Sequence, residues 1–295
     1  MNNIWLHRYA VLLVVCTLFL VIAGASVTSN EAGLSVPDWP LSYGRLMPEM
    51  TGGVFYEHGH RMIATTVGFM TIILAVWLWR VEPRAWLRRL GWIALATVIF
   101  QGILGGITVL YLLPKVISIA HACLAELFFS LTAAIALFTS PAWKRGAEMV
   151  EDSGWPSLRS MAVVTPVVVL AQVALGAAYR HGLMDIIPHI VGASVVTGLV
   201  LYLSVSLLMQ YGFHRGLRRA GLALTIVTFV QVFLGIAAYI SRISTMDSVY
   251  PMAVMVFFTV LHVGAGALTM ASSVLASIQI MRNVRPSAVE VPQTA

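Results

Sequence analysis

Of the eight histidines in the chain, four share a pattern: His60, His121, His189 and His262 lie at or near the starts of every second apolar segment. The residue four places on is small in each case, being Ala64, Ala125, Ala193 or Gly266. Residues i and i+4 share one helix face, so each imidazole is expected to have a shallow patch beside it where a flat group can lie. His7, His58, His181 and His214 lack the pattern, being followed at i+4 by Val11, Met62, Asp185 and Arg218. An imidazole nitrogen can ligate a metal, carry a proton or bridge two helices. What it does depends on what positions it.

The positioning elements are membrane helices. The 295 residues are 59% hydrophobic and only 10% charged, with a mean hydropathy of +0.88, whereas soluble domains carry about 25% charged residues. Eight apolar runs approach the roughly 20 residues a helical span needs: 9–28, 55–79, 90–113, 116–138, 161–179, 186–209, 220–240 and 252–281. They are continuously apolar rather than alternating, which favours helices over a barrel. Glu126 lies inside the fourth. Of the 18 basic residues, Arg45, Arg61, Lys115, Arg180 and Arg242 fall on one face and all the others on the face of the N-terminus. The positive-inside rule then puts both termini in the cytoplasm, as for a bacterial-type cell membrane. The basic loops account for the charge without a nucleic-acid partner. Cys16 and Cys123 fall within spans, so no loop disulfide or CxxCH attachment is expected, and 9–28 reads as a retained helix rather than a signal peptide.

The chain also repeats. Gln101-Gly-Ile-Leu-Gly105, Gln172-Val-Ala-Leu-Gly176 and Gln231-Val-Phe-Leu-Gly235 share one pattern, and the first span carries Leu20-Val-Ile-Ala-Gly24 at the corresponding place. Spans one to four and five to eight thus read as two copies of a four-helix unit in parallel orientation. The expected fold is an all-α membrane protein of two pseudo-symmetric four-helix bundles. One is 1–140 with an outer loop at 29–56; the other is 161–282. A cytoplasmic linker, 141–160, joins them, and a polar, structureless tail, 283–295, follows. His60 then matches His189, and His121 matches His262.

Four histidines at equivalent places in bundle interiors suggest two sites, each with two imidazoles from opposite helices as axial ligands of a haem iron. Zinc is a poor competitor, because no HExxH is present and acidic ligands are scarce. Arg61, Lys115, Arg180 and Arg242 are candidate partners for haem carboxylates, and equally plain interfacial anchors. In the outer loop, Gly33, Pro37, Pro40, Gly44, Gly52 and Gly53 argue against a long helix, and Trp39 and Tyr43 suit the headgroup zone. Glu57 precedes His60 by three residues. It reads either as a carboxylate at the haem edge or as a helix-start acid favoured by the macrodipole.

Gly33-Leu-Ser-Val-Pro-Asp-Trp-Pro40 and Glu57-His-Gly-His-Arg61 resemble the signature segments of the haem A synthase family, and the likeness in span number and histidine placement extends over essentially the whole chain. The resemblance implies oxidation of the C8 methyl of haem O to the formyl of haem A, with water as the oxygen source. It implies a substrate haem on His60 and His121, a haem B cofactor on His189 and His262, and an essential glutamate corresponding to Glu57. Arg61, Arg180 and Arg242 become candidate propionate partners. The implied surroundings are membrane lipid, the farnesyltransferase that makes haem O, terminal oxidase assembly and an unidentified electron acceptor. One departure stands out: some relatives carry paired cysteines in the first outer loop, one just before the Pro-Asp-Trp, where this chain has Val36. A non-catalytic di-haem b-type electron carrier is the alternative; it would share the histidines but has no use for Glu57 or the loop.

Overall fold

The structure, a computed structural model, describes residues 3–152 and 154–286. Its helices are α1 (Ile4–Ser29), α2 (Gly52–Val81), α3 (Ala85–Leu110), α4 (Lys115–Thr139), the one-turn α5 (Pro141–Lys144), α6 (Leu158–Arg180), α7 (Ile187–Met209), α8 (Arg215–Ser244) and α9 (Ala253–Asn283). All except α5 are long and apolar enough to cross a bilayer. Several run past the apolar windows that predicted them. Helix α8 begins at Arg215 rather than 220, capped by the His214 side chain, which accepts from the Leu217 amide. Its Arg215, Arg218 and Arg219 extend the helix out of the apolar zone, as long basic side chains can while reaching water.

Helices α1 to α4 close into one ring of neighbours and α6 to α9 into a second. Each ring has its own buried core, centred on Leu13, Leu74, Leu78 and Leu87 in the first and on Leu203, Leu207, Leu217 and Leu224 in the second. The copies even share a packing device. A Cβ on Gly91 of α3 would lie 2.9 Å from Leu78 of α2, and one on Gly221 of α8 would lie 3.1 Å from Leu207 of α7. Close approach over glycine is how helices gain contact where lipid offers no hydrophobic drive. Some buried hydroxyls are satisfied within their own helices: Thr17 and Thr71 donate to the Leu13 and Val67 carbonyls at 2.7 Å.

The rings join where α1 and α4 meet α6 and α9. Phe129 and Ala133 of α4 pack there against Ala267 and Ala271 of α9, with Val14, Leu18 and Val21 of α1 alongside. At the end of the molecule away from the chain termini, Lys115 Nζ donates to the Gly182 carbonyl at 2.6 Å and Arg180 to Ser29 Oγ at 2.7 Å.

The linker and tail differ from expectation. The linker contains α5 and a strand, β1 (Val150–Asp152); the supposed tail begins with the last residue of α9 and a second strand, β2 (Val284–Pro286), which pairs parallel with β1. Val284 is fully buried, Arg159 donates to its carbonyl at 2.8 Å, and Arg285 pairs with Glu151 at 2.9 Å. Tertiary pairing thus orders a segment too short and polar to declare itself locally. The remainder of the predicted tail, 287–295, lies outside the described residues.

Candidate functional site

The four histidines stand on α2, α4, α7 and α9, opposite members of each ring. Every one lays its ring on a glycine of the helix before it. A Cβ added to Gly24, Gly105, Gly176 or Gly235 would come within 3.1, 3.3, 2.8 and 2.8 Å of Cε1 of His60, His121, His189 and His262 respectively. The space beside each ring is therefore supplied by a neighbouring helix. At His262 the same-helix neighbour differs from expectation: Gly266, four residues on, makes room for Gln231, whose Nε2 lies 3.3 Å from its ideal Cβ. His262 is the tenth residue of its helix, and His60 is the ninth of a helix that starts at Gly52 rather than 55.

In the second ring the two imidazoles come together. His189 and His262 face each other with centroids 6.3 Å apart and planes at 87°. An imidazole nitrogen sits about 2.0–2.1 Å from a bound metal, so two rings on opposite sides of one ion have centroids about 6 Å apart. His60 and His121 occupy the corresponding places on α2 and α4 of the first ring. Nδ1 of His60, His121 and His262 is buried without a hydrogen-bond partner, an arrangement that costs about 1–3 kcal/mol per group and calls for an explanation. Among the described residues no group of three or more His, Cys, Asp or Glu is gathered to hold a metal ion. A donor set of two facing imidazoles in an apolar bundle fits a group that brings its own equatorial ligands, as a haem does.

Only the first ring has a long connection at the histidine end. Residues 30–51 fold over α2 and α3, and their ties converge on the residues around His60. Glu57, buried, accepts from the Val36 amide at 2.8 Å and from Arg61 at 2.6 Å. Arg61 also donates to the Asp38 and Leu41 carbonyls, both at 2.7 Å. The Trp39 indole lies over Gly106, next to the glycine that seats His121; a Cβ there would be 2.7 Å from the ring. Asp38 accepts from the Tyr43 and Gly44 amides at 2.6 and 2.8 Å, and those donors, Gly44 foremost, hold its carboxyl below the ordinary carboxylate range. Val36 is fully buried.

Glu57 and Arg61 are thus placed beside His60, but both are spent on the loop. Arg61, expected as a propionate partner, gives its guanidinium to loop carbonyls and Glu57. Arg180 lies against Ser29, and Arg242 stacks over Tyr179 at 5.3 Å. Glu126 is buried in α4, one oxygen unpartnered. Sequence reasoning missed His58, which is buried and bonded to Ser42 Oγ at 2.8 Å; its place inside Glu57-His-Gly-His-Arg61 was the available signal.

Residues 49–183 match the family model described as cytochrome oxidase assembly protein, a stretch that holds Glu57, His60, Arg61 and His121. Proteins called heme A synthase align with the chain. The one from Alkalihalophilus pseudofirmus is 31% identical over 48% of either chain. That from Symbiobacterium thermophilum is 29% identical over 56% of this chain and 55% of its own, and that from Lysinibacillus sphaericus 33% identical over 37% of each. The chain spans about half the length of the curated relatives it matches, and the matched family segment ends before His189 and His262.

Proposed function

We propose that this chain is a haem A synthase, oxidising the C8 methyl of haem O to the formyl of haem A within the membrane. One observation carries the reading: two equivalent bundles each hold a histidine pair on opposite helices, and only one pair has the Glu57–Arg61 couple and a folded loop at its mouth. In this reading His60 and His121 take the substrate haem O, and His189 and His262 hold haem B. Haem B supplies one-electron chemistry that passes electrons to an acceptor outside the chain. Both termini face the cytoplasm, and the loop faces outward.

The methyl reaches the aldehyde level in two oxidations. Each adds the oxygen of one water and releases two electrons and two protons, giving first the alcohol and then the hydrated aldehyde, which loses water. His60 and His121 fix the depth and tilt of the substrate. Glu57 already accepts at both oxygens, which suits a fixed negative charge that stabilises positive charge growing at the haem rim better than a base that must take a proton. The loop limits access to that rim. With Arg61 engaged, Arg180 and Arg242 remain the candidate propionate partners. The farnesyltransferase that makes haem O and the assembling terminal oxidase are the proposed neighbours in the membrane.

Acid-acetone extraction of the purified protein, followed by chromatography, tests the reading. Haem B together with haem O, its alcohol or haem A is the expected result; haem B alone would leave a di-haem electron carrier. Glu57→Gln is expected to keep its haems yet accumulate haem O or the alcohol, with haem A output down about a hundredfold or more. Undiminished output would remove Glu57 from the mechanism.

A further inference from the structure

One buried carboxyl group belongs to neither histidine pair. Glu126 of α4 is buried, and its Oε2 has no hydrogen-bond partner. Five residues along an α-helix turn it about 140° away from the direction of His121, out of the first ring and toward the second. The repeat agrees. Ala267 and Ala271 follow His262 by five and nine residues, as Glu126 and Ser130 follow His121. Those alanines lie at the seam between the rings, packed with Phe129 and Ala133 of α4, so Glu126 and Ser130 occupy the matching side of α4. Ser130 stands one turn beyond Glu126 on the same face, and its Oγ is also buried without a partner.

Leu18 and Val21 of α1 and Leu275 of α9 pack at the same seam. Beyond their first two turns and their last, the helices packed on α4 hold two ionisable residues, His262 of α9 and Cys16 of α1, and Cys16 packs in the first ring's own core. On α4 itself Cys123 precedes Glu126 by three residues and shares its face. An ionisable group inside a bilayer is costly and is kept for what its charge does.

Two neutral imidazoles and a porphyrin dianion leave ferric iron with one net positive charge and ferrous iron with none. A carboxylate at the seam is stabilised by that charge and holds a proton more tightly once it is gone. We infer that Glu126 takes up a proton when an electron reaches the His189–His262 pair and gives it up when the electron leaves, so that the charge buried between the rings stays constant. In the proposed reaction both come from the methyl, whose oxidation releases electrons and protons in equal number. Both then depart, the electron to the outside acceptor and the proton to solvent. Ser130 suits either state, because a hydroxyl donates to a carboxylate and accepts from a carboxylic acid.

The inference rests on the haem reading, and the full-length chain tests both separately. His60→Ala spoils the first pair, so that the bis-imidazole spectrum of added ferric haem B reports the second alone; absence of that spectrum overturns the haem reading. A unit charge about one helix away, in surroundings less polarisable than water, shifts a proton equilibrium about tenfold. By linkage the midpoint potential moves about 59 mV for one electron. Visible spectroscopy in this background, with and without Glu126→Gln, follows the potential against pH. Glu126→Gln, neutral throughout, should coincide with Glu126 at low pH and lie about 59 mV above it at high pH. Coincidence at every pH overturns the inference. Reduction should also add a protonated-carboxyl stretch to the infrared difference spectrum, absent in Glu126→Gln and displaced in Ser130→Ala, which carries the test if Glu126→Gln does not fold. A spectrum without that band, or one whose band Ser130→Ala leaves in place, overturns the inference as well.

Discussion

The four glycines under the imidazoles act through an absent methyl group, and the graded clearances make that testable. Alanine at Gly176 or Gly235 brings Cβ to 2.8 Å from the ring, at Gly24 to 3.1 Å and at Gly105 to 3.3 Å. Overpacking of this kind costs about 1–3 kcal/mol, and here the ring is what must yield. Gly176→Ala and Gly235→Ala should therefore lose bound haem most, Gly24→Ala less and Gly105→Ala least, measured as haem per protein and bis-imidazole absorbance. The sequence shows the glycines as a repeat. It does not show what rests on them, because glycine in a bilayer helix is ordinarily a packing device. His58 was hidden for a related reason: the i+4 rule sees only its own helix, and its partner Ser42 belongs to the loop.

At the scale of elements, the 30–51 segment was legible as irregular from its prolines and glycines, but not as a cap tied to α2. Its ties join residues such as Val36 and Glu57 that are remote in sequence, and no local periodicity records them. Asp38 gives the cap a pH dependence. Its carboxyl is held below the value it has in an unfolded chain, first by the Gly44 amide, so its contribution is complete above the ordinary carboxylate range and is lost as pH falls through the lowered value. Proteolysis within the loop should rise below about pH 4, and Asp38→Asn should cut equally readily at pH 7. Arg61→Lys should loosen the loop as well, since an ammonium cannot span Glu57 and two carbonyls as a planar guanidinium does; faster cleavage at unchanged helix content would show it.

For the molecule as a whole, hydropathy disclosed eight helices, because a bilayer leaves the backbone few other choices, and the repeated Gln-x-x-Leu-Gly pattern disclosed two copies of a four-helix unit. The interface between the copies was not legible. Its small residues, Ala133, Ala267 and Ala271, look like ordinary helix formers, and the β1–β2 clasp joins segments more than a hundred residues apart. Ala267 is completely buried there, so Ala267→Leu should lower stability by about 1–3 kcal/mol, read as thermal unfolding in detergent. The same substitution at an exposed position such as Ala253 of α9 should be close to neutral.

Helices α2, α4, α7 and α9 all run the same way, which brings every ring-bearing histidine toward one end of the bundle. In the proposed reading an electron leaving one pair for the other travels sideways, parallel to the bilayer surface, and performs no work against a membrane voltage, which would otherwise amount to about 2.3 kcal/mol per 100 mV. Turnover in sealed vesicles should accordingly be the same with or without an imposed potential when the oxidant is added on that same side.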